Sequence, residues 1–332
     1  MADEEVLEQF KVKHVLWKKC LSGDDRNSVF NQIHQMIWNA AVFNVINESR
    51  KIATADEKGR KEVNGMIHRF IDRCFFDSQF LCIRRLVDPA VLDGARGVFS
   101  LLSLLNDMRA NTFLITRGNL FAVDGMEYDY ETVQQKELAY MDAQLKAGKS
   151  SYWLPPELVS HTVRIRHEHI DILCGTDPER RSPNNTVCPE IFYYLIKKLK
   201  DASDTIGLHV NKFVAHSASP ESREESNADD VKITMRHLWD AHKVICQVAN
   251  LIDTHIVSRA SHNFLPTPQY NNFQHIDRAL VSTEDVKALS DAWHGFQKET
   301  DAWSSWGMKE LSEEMGKCTI GVDRSGPERA AQ

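Results

Sequence analysis

What most constrains this chain is a helical rhythm of apolar residues that runs with little interruption from residue 4 to about residue 110. In VFNQIHQMIWNAAVFNVINESRKIA, Val29, Ile33, Ile37, Ala40, Ala41, Val45 and Ile52 fall mostly three or four apart. That is the stripe of a helix with one buried face. The DRN triplet ahead of it offers N-cap candidates, and SGDD marks the preceding turn. VNGMIHRFIDRCFFDSQFLCIRRLVDP predicts a second long helix, with Met66, Phe70, Ile71, Cys74, Phe75 and Leu81 on its apolar face and Pro89 as its stop. GVFSLLSLLNDMRA predicts a third, shorter one. No stretch here alternates with period two long enough to make a strand. The expectation is an all-α chain.

Between about 111 and 187 the rhythm weakens. TRGNLFAVDGMEYDY has the turn residues and aromatics of an irregular loop or a small hairpin, and ETVQQKELAYMDAQLKAGK predicts a helix ended at Gly148. SSYWLPPELVSHTVRIRHEHIDILCG places Pro155 and Pro156 near a helix start, and TDPERRSPNNTVCPE reads as a loop. Helical order then returns. EIFYYLIKKLKDASDTIGLHVNKFVAHS predicts one long helix with a bend at Gly207. ADDVKITMRHLWDAHKVICQVANLIDTHIVSRA predicts another, with Val231, Met235, Leu238, His242, Ile245, Val248, Ala249 and Ile252 on one face. STEDVKALSDAWHGFQKETDAW is a Ser/Thr-capped helix whose Trp293, Phe296 and Trp303, with Trp306 beyond, form a packing face. Residues 313–332 read as a disordered tail.

Composition excludes several classes of function. The net charge of −7 gives no global pull toward polyanions, so any nucleic-acid site must be local. Apolar runs are broken by charges well short of a membrane span, and MADEEVLEQF is acidic where a signal peptide is basic, which predicts a cytoplasmic protein without membrane contact. The seven cysteines form no CxxC pair and read as reduced thiols. There is no P-loop, dinucleotide fingerprint or nucleophile elbow. Neither a metal site nor a cofactor is expected.

Two stretches carry candidate chemistry. LHVNKFVAHSASPESRE gathers His209, Asn211, Lys212 and His216 at the end of a long helix. On a regular helix Lys212 and His216, four apart, share a face. Such a pair can act as cation and acid/base, or it can be a solvated lysine and a histidine suited to the helix C-terminal dipole. RIRHEHID supplies a basic cluster, Arg164, Arg166 and His167, able to meet a phosphate backbone. A solvated helical face is the competing reading. His167 and His169 are two apart and point away from each other, so they do not chelate one metal. His237 and His242, five apart around Asp240, read as a surface and core pair.

The order of a long helix running into RRLVDP, a short LLSLL helix and a later long helix ending in NKFVAHS resembles the HEPN superfamily, in its abortive-infection, AbiU-like branch. The resemblance covers residues of about 25 to 110 and about 188 to 258. It implies a single domain over 1–312, a HEPN-like bundle of long antiparallel helices with residues 111–187 inserted and an extra C-terminal helix. It also implies a homodimer whose motif helices meet across a two-fold, an antitoxin-like protein partner, and metal-independent RNA cleavage in a defence or toxin–antitoxin system. The family motif is Arg, a polar residue, four others, then His. Here Asn211 takes the polar position and His216 the last, while Val210 stands where the arginine belongs. The roles so implied are His216 as acid/base, Asn211 as orienting group and Lys212 or His209 as the charge. The alternative is a catalytically degenerate module that binds RNA, a nucleotide or a protein.

Overall fold

The computed structural model describes residues 2–55, 57–59, 63–215, 218–257, 263–265, 271–276, 278 and 282–303. The chain is all-α, 72% helical, with no strand among the described residues. Eleven α-helices are described: α1 Ala2–Ser22, α2 Val29–Ile52, α3 Gly65–Leu86, α4 Leu101–Ala110, α5 Arg117–Asp124, α6 Tyr130–Lys146, α7 Ser160–Cys174, α8 Pro189–His209, α9 Pro220–Glu225, α10 Met235–Ile252 and α11 Val286–Trp303. They fall into two compact units, Met1–Pro266 and Thr267–Gln332. None of the described helices is long and apolar enough to cross a membrane.

Helix α8 is the hub of the first unit. Pro189 sits in its first turn, where a missing N–H costs nothing, and Phe192, Leu195, Ile196, Leu199, Ser203 and Ile206 form its buried stripe. Helices α3, α4 and α10 all pack on α8. Helix α10 brings Leu238, Ala241, Ile245, Val248 and Ile252. It starts at Met235, so Val231 precedes it; the Nδ1 of His237 accepts a hydrogen bond from the Thr234 N–H (3.1 Å) and sets the start. Helix α1 is tied to α4 through Asp107, which accepts from Trp17 Nε1 (2.7 Å) and pairs with Lys13 (2.8 Å).

Local chemistry explains most boundaries. Asn64 Oδ1 accepts from the N–H groups of Met66 and Ile67 at the start of α3, and Ser100 and Ser103 form a reciprocal capping box on α4. At α2 the N-cap is Ser28 and not the DRN triplet, because the Asp25 carbonyl accepts the Ser28 N–H (2.8 Å) and closes the turn there. The segment expected as a loop or hairpin is helix α5. Thr116 caps it through the Asn119 N–H, Leu120 and Phe121 bury its face, and Gly125 ends it at φ 66°. The N–H groups of Arg117 and Gly118 donate to Asn185 and Pro183 carbonyls at 2.8 Å. A Cβ on Gly118 would stand 3.2 Å from Pro183, so this close approach favours glycine.

Helix α8 runs without a break past Gly207 to His209. Its irregularity comes at Val210–Val214, a single π-helical turn. A second π-turn, Asp253–Val257, ends α10. In the second unit Ser282 Oγ accepts the Asp285 N–H ahead of α11, and Val286, Leu289, Trp293 and Phe296 make an exposed stripe. The side chain of Trp303, together with Trp306 and the expected tail, lies outside the described residues.

Removing the hub contact tests this architecture. Leu199→Ala is expected to cost about 2–5 kcal/mol, whereas Tyr194→Ala on the exposed side of the same helix should stay within about 0.5 kcal/mol. Urea unfolding of the two variants measures the difference.

Candidate functional site

The residues expected to carry chemistry are distributed by the end of α8 in different directions. Val210 is fully buried, packed into the core. His209 is half-buried, its ring 5.1 Å from Phe80 and 4.9 Å from Phe213. Burial pushes its pKa down, against the opposing pull of Asp77. Asn211 is exposed and lines a cavity of about 290 Å³ with Arg84, Ser203 and Asp204. Lys212 donates its ammonium to Ser222, to the carbonyl at 2.8 Å and the hydroxyl at 2.9 Å. His216 lies outside the described residues. The Ala215 N–H bonds to the Val210 carbonyl (2.8 Å), a π rather than an α step, so regular α-helical spacing ends by Val210.

The second candidate, RIRHEHID, lies within helix α7, where two of its three basic residues, Arg166 and His167, are buried. Arg166 is only 3% exposed, paired with Asp124 at 2.8 Å, and donates to the His255 carbonyl at 2.8 Å. That carbonyl belongs to the π-turn ending α10, and the Val257 carbonyl there is likewise met by His14 Nε2 at 2.7 Å. His167 is also buried. Its Nε2 lies 2.8 Å from the Tyr128 carbonyl, and its Nδ1 3.1 Å from Arg117. A carbonyl only accepts and a guanidinium only donates, so His167 is the neutral Nε2–H tautomer. Burial lowers its pKa, and Arg117 and Arg181 add to that effect. Asp171 holds both arginines at 2.6 Å. Burial pushes its carboxyl up, but the hydrogen bonds from Arg181 and Arg117 outweigh this and leave its pKa lowered. Arg164 alone is at the surface, paired with Glu168 four residues on.

Outside these stretches the structure shows a groove between α2 and α3. The two helices run antiparallel: Phe43 stacks on Phe75 at 3.7 Å, Gln79 donates to the Met36 carbonyl, and the Cys82 thiol donates to the Gln32 carbonyl. One half of the groove is polar, a cavity of about 880 Å³ lined by Arg26, Asn27, Asn31, Gln35 and Arg85 among others. The other half, about 430 Å³, is apolar, lined by Val42, Ile46, Phe70 and Cys74. Trp38, Asn39 and Ser78 line both halves and join them. Neither Arg26 nor Arg85 is ion-paired to a described residue. The signal for this site is visible in the sequence, since Asn31, Gln35 and Asn39 recur every four residues along one side of α2, with Asn27 in the turn before it.

Among the described residues no three His, Cys, Asp or Glu side chains come together as a metal-binding group. His237 and His242 divide as surface and core: His242 is 4% exposed, with neither ring nitrogen bonded to a described partner. No protein-family model, curated protein or solved structure matches the chain.

Two stability measurements follow from these placements. Asp171→Asn leaves Arg117 buried without its countercharge and is expected to cost about 3–5 kcal/mol. His242 is pulled down to about 4 by burial. The unfolded chain therefore takes up a proton near the ordinary histidine pKa that the folded chain refuses until about pH 4. Stability conferred by neutral His242 is complete above that ordinary value and falls by up to about 3 kcal/mol as pH drops to about 4. His242→Leu should flatten this part of the pH profile, as followed by urea unfolding.

Proposed function

We propose that this chain is a HEPN-like helical module that acts by binding, with its cleavage motif silenced. The observation that carries the reading is Val210, fully buried in the core. Metal-independent cleavage of RNA needs a base near neutral pH and a cation aimed at the phosphorane. The arginine position of the motif is an apolar core residue, and the nearby ammonium of Lys212 is held by Ser222. His209 packs against two phenylalanines. In the family which the sequence resembles, the copies meet at this helix, so a homodimer and an antitoxin-like protein partner belong to the same proposal. A ribonuclease is the second reading. The π-turn at Val210–Val214 favours it, because such turns recur at functional sites.

Incubation of wild type and His216→Ala with end-labelled single-stranded and hairpin RNA, in the presence of EDTA, distinguishes the two. Neither protein is expected to cut. Cleavage by wild type that falls about 100-fold or more in His216→Ala, the scale of a lost acid/base, would establish the ribonuclease and overturn the binding reading.

A further inference from the structure

We infer that the groove between α2 and α3 is a docking site for an extended segment of another protein, acidic at one end and apolar at the other. The inference rests on the binding reading above and adds to it a place and a partner chemistry.

Length and repeat come first. From Asn31 to Ile46 the groove follows α2 for about 22 Å, at 1.5 Å per residue, which accommodates about six or seven residues of extended chain. The amides of Asn31, Gln35 and Asn39 repeat about every 6 Å along the helix, close to the roughly 6.6 Å between alternate peptide groups of an extended strand. A primary amide offers both a donor and an acceptor, as a peptide group does. Gln35 Nε2 donates to Asn39 Oδ1 (2.9 Å) and Asn31 Nδ2 to the Asp25 carbonyl (2.9 Å). Those bonds hold the side chains in line and leave Gln35 Oε1, Asn39 Nδ2 and Asn31 Oδ1 for a ligand.

The two ends then set direction. At the polar end Arg26 and Arg85 are exposed and not ion-paired, with Asp24 beside them, so the surplus is positive and suits a partner carboxylate. At the other end Phe70 is 69% and Val42 43% exposed around an apolar trough that Trp38 connects to the ladder. A nucleic-acid strand is the poorer fit. It carries charge along its whole length, and past Trp38 the described lining of the groove contains no cation.

Cys74 supplies a built-in reporter. It is exposed and lines the apolar half. Burial raises the pKa of Cys20, Cys82, Cys174 and Cys246 to about 11 or 12. Iodoacetamide should therefore modify Cys74 ahead of these four thiols.

The test is selection of a random twelve-residue peptide phage library on the full chain, with counter-selection on Arg26→Glu/Arg85→Glu. Selected peptides are synthesised and their affinities measured by fluorescence polarisation. The expected result is enrichment of sequences with Asp or Glu at one end and large apolar residues at the other. Affinity should fall tenfold or more in both Arg26→Glu/Arg85→Glu and Phe70→Ser, stay unchanged in Tyr194→Ser, and be accompanied by slower alkylation of Cys74. All four substituted positions are exposed, and unchanged circular dichroism and melting temperature confirm that the variants fold. The proposal is overturned if no sequence is enriched or if the selected peptides bind all variants alike. It is also overturned if an eight-nucleotide single-stranded RNA, or self-association of the chain, occupies the groove and is lost in Phe70→Ser. RNA cleavage by wild type would defeat the binding reading irrespective of peptide binding, whereas an intact, non-cleaving protein that selects no peptide defeats only the groove.

Discussion

The first unit depends on one requirement, that the stripe of α8 from Phe192 to Val210 be covered on all sides. Helices α3, α4 and α10 cover it, and every residue of the stripe reaches near-complete burial. The stripe does not stop with the α-helix. Val210 extends it into the π-turn, and an arginine at that position would drive an unpaired charge into the core. Packing therefore claims position 210, one step beyond the α-helix.

Charge inside the molecule follows the same logic. Helix α7 looks basic in sequence, yet Arg166 is consumed by Asp124 and the His255 carbonyl, and the Arg117–Asp171–Arg181 group joins α5, α7 and the loop before α8. The Asp124 and Asp171 ion pairs, with the backbone links from Arg117 and Gly118 to the 183–185 loop, tie the middle segment together, and the Arg166 bond to the His255 carbonyl joins it to the turn ending α10. Buried ion pairs of this kind add little net stability over an apolar replacement, but breaking one half strands the other, and the arrangement is therefore specific.

The α2/α3 pair shows what remains when the core is satisfied. One side of α2 faces inward through Val29, Ile33, Met36, Ala40 and Phe43. The adjacent side, with its amides and Trp38, has no helix over it among the described residues and lines a groove whose two halves differ in polarity. Helical spacing alone cannot say whether such a side is solvated or occupied. Here a polar and an apolar cavity are continuous, with two arginines at one end that are not ion-paired to a described residue.

Helix identity was largely legible from spacing, because a 3.6-residue period is a local property of the chain. The stripes of α2, α3, α8 and α10 and the stops at Pro89 and Gly148 could be read directly. Helix α5 was missed although Thr116 and Gly125 bracket it, since eight residues give too short a period to stand out against glycine and aromatics. The amide repeat of α2 was equally legible but lay beside a stronger apolar signal. Burial of Arg166 and His167, the tethering of Lys212 to Ser222 and the π-turn at Val210 were decided only by tertiary structure. Each depends on a partner far along the chain or on a backbone step that no residue spacing encodes. The sequence by itself determined an all-α chain and placed Val210 within a polar stretch at the end of a long helix. Only the fold determined that this valine is a core residue and that the open surface lies between α2 and α3, because burial is a property of neighbours and not of residue type.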